Sequence, residues 1–223
     1  MSCNHRQLSH FKQLVAFAFP FLLLTIGSLS HVAQAQPPSF TIADIQYSGT
    51  GCPQGSAAVV VSPDLRAFTV GFDEYGASIP FPDGDPAQPP IRGDRENCLL
   101  ILTLDYDPGW RFAIFTVNYE GGTQLQNENV VAQQISTYRF QGQTGGAKFS
   151  SEWRGPTDEL FFVTDEVVAP VFSPCGALRA LQINTTVSVN NFAGKPTDFG
   201  SIAQDIIDGQ LSETYTLTWE RCP

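Results

Sequence analysis

The region after residue 35 contains four cysteines and no histidine, and this combination limits the chemistry that the chain can perform. The three histidines, His5, His10 and His31, all lie before that position. Catalytic triads built on histidine and zinc sites with histidine ligands are therefore excluded for the region that follows. Any chemistry there has to use carboxylates, hydroxyls, amides or sulfur.

The four cysteines of this region are predicted to form two disulfides. No two of them have the short spacing of zinc-binding cysteines, so a site with sulfur ligands is not expected and metal binding stays unassigned. The distance along the chain from Cys52 to Cys98 nearly equals that from Cys175 to Cys222. This similarity favours pairing in sequence order, while the two other pairings of four cysteines stay open.

Carboxylates are the remaining candidates for acid–base catalysis, but their positions assign no catalytic residue. Glycoside hydrolysis needs two carboxyl groups that flank the scissile bond. Glu152 and Glu220 lie on predicted strands, yet with 22 acidic residues in the chain some pair is expected by chance. Tryptophans can stack on sugar rings, although aromatic residues in strands more often lie in the core; the three are Trp110, Trp153 and Trp219. We predict no catalytic residue and no cofactor.

An acidic, proline-rich stretch over residues 76–95 is a candidate for calcium binding. Its carboxylates Asp83, Asp85 and Asp94 loosely follow the spacing of an EF-hand, but proline and alanine occupy ligand positions and the turn glycine is missing. Five prolines indicate a surface loop rather than a strand. Calcium therefore stays an alternative to ordinary solvated carboxylates.

Residues 1–35 are predicted to be a secretory signal peptide. Arg6 and Lys12 precede an apolar run over residues 14–26, which is too short to span a membrane. Ala33-Gln34-Ala35 then provides a small-x-small cleavage site. Cleavage would leave one domain, residues 36–223, secreted to the extracellular space or cell surface, without membrane insertion afterwards. Asn184 begins an N-glycosylation sequon, which matters only in a host that glycosylates asparagine.

The charge of the chain restricts its partners. The net charge is −10, and cleavage would remove Arg6 and Lys12, so the mature domain is still more acidic. Nucleic acids and anionic membranes require basic surfaces, and we expect neither as a partner. A glycan or an extracellular protein is the expected kind of partner.

The pattern after residue 39 predicts an all-β domain. Short runs rich in β-branched and aromatic residues are separated by Gly, Pro, Asn and Asp, and several runs alternate apolar and polar side chains with period two. We predict an antiparallel β-sandwich or jelly roll of about ten strands with two disulfides. Residues 99–102 and 112–115 are apolar at successive positions, which predicts two central strands covered on both faces. A turn at Asp107-Pro108-Gly109 predicts that these two strands form a hairpin.

An ordered set of short motifs in this sequence resembles a family of secreted proteins of unknown function, DUF4360. The resemblance covers roughly residues 45–222 and implies export and one disulfide-bearing domain, with no catalytic residues to transfer. Its residues are Gly51-Cys52-Pro53, Arg95-Glu96-Asn97-Cys98-Leu99, Pro108-Gly109-Trp110-Arg111-Phe112, Tyr138-Arg139-Phe140-Gln141-Gly142, Gly155-Pro156, Ser173-Pro174-Cys175-Gly176 and Trp219-Glu220-Arg221-Cys222.

These observations together predict a secreted, disulfide-stabilised domain that acts as a non-enzymatic extracellular or surface-associated binding module. A carboxylate-dependent carbohydrate-active enzyme and a structural envelope or matrix protein are the alternatives. Since the mature domain has no histidine, its binding should change little between about pH 6 and 8. A buried carboxylate with a strongly raised pKa would be the exception.

Overall fold

The computed structural model describes residues 39–73, 75–81, 86–87, 89–203 and 211–223. Its secondary structure consists of twelve β-strands, and all the pairings between them are antiparallel. Among the described residues we find no helix with the length and apolar character to cross a bilayer.

The strands form two sheets, which we name by their strand number. The five-stranded sheet has the spatial order β1 (Phe40–Ser48), β5 (Gly93–Tyr106), β10 (Leu181–Asn191), β7 (Val130–Phe140) and β8 (Ala147–Arg154). The seven-stranded sheet has the order β2 (Ala57–Val61), β3 (Ala67–Phe72), β12 (Leu211–Arg221), β6 (Trp110–Leu125), β11 (Gly200–Ala203) and β4 (Gly76–Ile79), and β9 (Thr157–Glu166) pairs with the other side of β6.

The predicted all-β sandwich with two disulfides is confirmed. Each of the ten runs predicted as a strand overlaps a strand of the structure; the runs are 40–47, 57–61, 66–72, 98–106, 110–119, 132–141, 147–154, 159–164, 178–190 and 213–222. The two strands that the pattern missed, β4 and β11, have only four residues each. Such short strands show too few alternations to reveal a period. The pair β4–β11 continues the pair β3–β12 along the same side of β6, so the missed strands extend the sheet rather than add a layer.

The predicted hairpin at Asp107-Pro108-Gly109 is wrong. The turn itself forms, with the Trp110 amide donating to the Asp107 carbonyl at 3.0 Å, but it carries the chain from β5 in one sheet to β6 in the other. The expectation of cover on both faces is also wrong, because Phe115 is 42% exposed. Apolar residues at successive positions therefore indicated strands, but not which strands pair.

One hydrophobic core fills the space between the sheets. Period-two alternation orients its side chains, so that β5 buries its even-numbered residues and β10 its odd-numbered residues. Aromatic rings dominate the core: Phe68 stacks on Tyr215 at a centroid distance of 4.8 Å, and Trp219 lies 5.2 Å from Phe112. Burying such large apolar surfaces supplies most of the stabilisation of a sandwich.

The disulfides join Cys52 to Cys98 and Cys175 to Cys222, with sequence separations of 46 and 47 residues. Cys52 and Cys98 are fully buried and connect the turn after β1 to β5. Cys175 is exposed, and its bridge connects the segment before β10 to the residue that follows β12. One disulfide therefore belongs to the core and the other to the surface.

The proline-rich stretch is only partly a loop. Its first residues form β4 and its last residues begin β5, so the expectation that all of 76–95 is a surface excursion is wrong. Edge strands and strand ends tolerate nearby prolines because no ladder hydrogen bond is lost there. Asp83 and Asp85 lie outside the described residues.

Candidate functional site

A buried polar cluster lies between the two sheets at their centre. It contains one carboxylate, Glu213 on β12, surrounded by hydroxyl and amide side chains of the opposite sheet and by the hydroxyl of Tyr215 on its own strand. All its members are at most 4% exposed; they are Gln134, Ser136, Tyr138, Thr185, Glu213 and Tyr215. A polar group in such a place is stable only when it is hydrogen-bonded.

The carboxylate of Glu213 accepts three hydrogen bonds. Thr185 Oγ1 donates to Oε1 at 3.0 Å and Gln134 Nε2 donates to the same oxygen at 3.3 Å. Tyr215 donates its hydroxyl to Oε2. Ser136 Oγ in turn donates to Thr185 Oγ1 at 3.2 Å. These bonds connect β12 of one sheet to β10 and β7 of the other, so the cluster joins the two layers.

Burial controls the ionisation of this cluster. Removal from water disfavours the charged carboxylate and raises the pKa of Glu213 to about 7, although the hydrogen bonds from Tyr215 and Thr185 act in the opposite direction. Burial likewise raises the pKa of the four tyrosines near it, Tyr75, Tyr119, Tyr138 and Tyr215, well above the ordinary range. Glu213 is therefore a buried carboxylate with a strongly raised pKa, the kind of group that the sequence section names as the exception to weak pH dependence near neutrality.

Complete burial makes Glu213 unsuitable as a catalytic acid for an external substrate. Its exposed fraction is 0%, and no residue that contacts its carboxylate carries a positive charge. A substrate would have to enter between the sheets to reach it. We therefore assign the buried polar cluster to stability and to the pairing of the sheets.

A second polar region lies on the opposite, outward face of the five-stranded sheet. This outer groove has a volume of about 550 Å³. It crosses β5, β10, β7 and β8, and the turn between β7 and β8 forms one rim. The polar side chains that line it are Thr144 of that turn and, on the strands, Asn97, Thr137, Arg139, Lys148, Gln182 and Asn184.

Strand register places most of these side chains in two rows across the sheet, and Asn97 lies in a third row, opposite Thr186. In the first row Asn184 lies between Leu99 and Thr137, and Lys148 lies beyond Thr137. In the second row Gln182 lies beside Arg139. Directly opposed residues in neighbouring strands are within contact distance, so the polar side chains of each row adjoin one another.

The guanidinium of Arg139 has a fixed orientation. Its Nε donates to Gln182 Oε1 at 2.8 Å, and its terminal nitrogens form no hydrogen bond or ion pair within the described part of the chain. Lys148 is exposed and has no ion-pair partner among those residues. Two cations therefore face the groove without intramolecular neutralisation.

A glycine brings the rim close to the sheet. A Cβ atom on Gly146 would lie 2.4 Å from the carbonyl oxygen of Tyr138, so any side chain there would collide with the backbone of β7. The turn over residues 141–146 consequently lies tightly against β7, beside Arg139. The residues of this turn therefore line the groove on the side next to Arg139.

The other candidates from the sequence do not form a site. Glu152 and Glu220 lie in ion pairs with Arg154 and Arg111 respectively, on different sheets. Trp110 and Trp219 are buried core residues, and Trp153 packs on Phe161 at 4.3 Å, so the tryptophans form no exposed sugar-stacking platform.

The calcium alternative gains no support from the described residues. Asp94 accepts hydrogen bonds from the Ser78 and Arg95 amides, both at 2.8 Å, and these bonds give its carboxylate a structural role. Within the described ranges no three metal-binding side chains come together. Asp83 and Asp85 are outside those ranges, so the calcium hypothesis stays untested.

The alternation of side chains along β12 could have placed Glu213 in the core, whereas no pattern in the sequence indicated the groove. The inward residues Tyr215, Leu217 and Trp219 follow Glu213 at alternate positions, and extending that series backward by one step places the carboxylate in the core. The polar face of β10 was also visible in the sequence, including Asn184. Its neighbours β5 and β7 are distant in sequence, so nothing in the pattern showed which polar residues adjoin it.

Comparisons with known proteins place the chain in a family. The family model described as "Domain of unknown function (DUF4360)" matches residues 38–222. An "Uncharacterized secreted protein" of the fungus Arthroderma benhamiae is 34% identical over 188 residues, which cover 83% of this chain and 73% of the relative. The family match over residues 38–222 includes both disulfides, both sheets and the outer groove. The chain therefore belongs to the DUF4360 family.

Proposed function

We propose that this protein is a secreted, non-catalytic glycan-binding module whose ligand lies in the outer groove. The observation that carries the proposal is the arrangement of Asn97, Thr137, Gln182 and Asn184 in adjacent rows on an exposed concave surface. Amide and hydroxyl groups donate and accept hydrogen bonds, as the hydroxyls of a sugar require. Four strands at a spacing of about 4.8 Å make the groove about 14 Å wide, enough for more than one sugar unit.

The enzyme alternative receives less support. Neither polar region of the described chain offers two carboxylates facing one accessible space, as glycoside hydrolysis requires. A purely structural envelope or matrix protein would show no binding that depends on the groove, so the binding experiment described next also tests this alternative.

The binding experiment compares groove and control variants of the exported protein on immobilised polysaccharides. Asn184→Ala combined with Gln182→Ala should abolish binding that the wild type shows. Gln54→Ala is the matched control, since Gln54 is exposed in a different surface depression of about 570 Å³. Equal binding by the groove variant and the wild type would overturn the proposal, and release of reducing sugar ends would favour the enzyme.

Export is part of the same proposal. We infer that residues 1–35 are removed and that the mature chain begins at Gln36; the secreted description of the relative and the start of the family match at residue 38 support this inference. Intact mass of the exported protein tests it. A secreted product that retains residues 1–35 would contradict it.

A further inference from the structure

We propose that the ligand of the outer groove is an acidic polysaccharide, a glycan whose sugar units carry carboxylates. This inference rests on the proposed function and specifies its ligand class. The observation behind it is the position of Arg139 and Lys148 on the neighbouring strands β7 and β8, on one side of the groove, in an otherwise acidic protein.

The positive charge is confined to part of the five-stranded sheet. Strands β7, β8 and β10 together contain three basic residues, Arg139, Lys148 and Arg154, and one acidic residue, Glu152, whereas β5, which the groove also crosses, contains three acidic residues and one basic residue. Strand β9 of the other sheet contains four acidic residues and no basic residue. A chain with net charge −10 thus presents a locally positive surface where the groove lies. None of the described residues that line the groove carries a carboxylate.

The geometry suits a carboxylated sugar chain. Arg139 is oriented by Gln182, and a preorganised guanidinium can bind a carboxylate through two parallel hydrogen bonds. Lys148 lies across β7 from Asn184, in the row beside that of Arg139. Carboxylates on the sugar units over β7 and β8 would reach both cations, while the amides of β10 and β5 contact the hydroxyl groups of units farther across the groove. This division of roles distinguishes a glycan from a simple anion.

The described lining of the groove has no exposed aromatic ring, so charge contributes more to ligand binding there. Tyr138 is the aromatic residue that contributes to the described lining, and it is only 4% exposed. Sugar stacking therefore contributes little, and binding should weaken as salt screens the two cations. Raising the NaCl concentration from about 0.1 M to about 1 M shortens the screening length from about 10 Å to about 3 Å.

The test uses polygalacturonate and its methyl-esterified form, which share a backbone and differ in charge. We expect the exported protein to bind polygalacturonate in 0.1 M NaCl, to lose most of that binding at about 1 M NaCl, and to bind the ester much more weakly. Arg139→Gln combined with Lys148→Gln should weaken binding about tenfold. Arg179→Gln combined with Lys195→Gln is the control for net charge, because it also removes two cations and both residues are exposed and lie outside the groove.

The outcomes separate this inference from the proposed function. Equal, groove-dependent binding of polygalacturonate and its ester would overturn the acidic ligand while the glycan-binding function stands. Binding of neither form, nor of any neutral polysaccharide, would overturn both. Equal binding of poly-aspartate would show that the groove recognises charge without sugar hydroxyls and would overturn the glycan ligand. Equal or tighter binding of dextran sulfate would replace carboxylate by sulfate and overturn the proposed ligand class.

Discussion

The two faces of the five-stranded sheet use similar side chains under opposite conditions. On β10, Thr185 points into the buried polar cluster and its neighbour Asn184 points into the outer groove. Inside, every hydrogen-bonding group needs a protein partner because water is excluded. Outside, the same kinds of group remain available to a ligand. Period two thus separates a stability determinant from a candidate binding site within one strand.

Charge follows the same division. The inner face packs against Glu213 of the other sheet, a buried carboxylate with no cationic partner among the described residues, so its ionisation costs free energy of folding. The outer groove exposes two cations to solvent, where their charge costs little and can attract an anion. We therefore expect substitutions on the inner face to change stability and substitutions on the outer face to change binding.

The largest effect should come from the disulfide that belongs to the inner face. Replacing both Cys52 and Cys98 by Ala should lower the free energy of unfolding by about 4 kcal/mol through loop entropy alone, and by more because both residues are fully buried. Urea denaturation measures the change. The control is the double Ala variant of Cys175 and Cys222, whose loop is almost equal in length but whose Cys175 is exposed. Equal losses in both variants would show that burial adds nothing.

The next effect concerns the pH dependence of stability. The folded pKa of Glu213, about 7, lies above the ordinary value of 4.5, so the folded state binds the proton more tightly than the unfolded state. The stabilisation is complete below pH 4.5 and is lost as the pH rises through about 7. Glu213→Gln removes this dependence, because an amide does not ionise.

Stability measured against pH therefore decides the role of Glu213. Relative to the wild type, the Glu213→Gln variant should gain about 3 kcal/mol between pH 4.5 and 8. The four neighbouring tyrosines stay neutral in this range because their pKa values are raised. Glu152→Gln, at an exposed position of β8, is the control. A constant difference between wild type and Glu213→Gln across this range would show that the carboxylate does not titrate there.

Local patterns predicted most of the strands but not their partners. Alternation in 66–72, 178–190 and 213–222 is a property of neighbours along the chain, and β3, β10 and β12 formed there. Strand order depends on which distant segments pack together, and this order is not encoded in the period. The predicted hairpin of β5 with β6 is wrong for this reason, because the two strands pair with partners in different sheets.

The candidate sites divide in the same way. Glu213 could be placed in the core from its own strand, because three inward residues follow it at alternate positions. The outer groove required β5, β10, β7 and β8 to be adjacent, and these strands are separated by long stretches of chain. A site built across strands from distant parts of the sequence is visible only once the topology is known.

The smallest expected effect is on the stability of the outer-groove variants. Arg139→Gln and Lys148→Gln should each change the free energy of unfolding by less than about 0.5 kcal/mol, because both side chains are exposed and neither forms an ion pair within the described residues. Arg139→Gln also loses the hydrogen bond to Gln182, so its effect should be the larger of the two. Urea denaturation at pH 7 measures both values beside the Arg179→Gln control. A loss comparable to that of an inner-face variant would mean that the two cations hold the sheet together, and the separation between a stabilising inner face and a ligand-binding outer face would then fail.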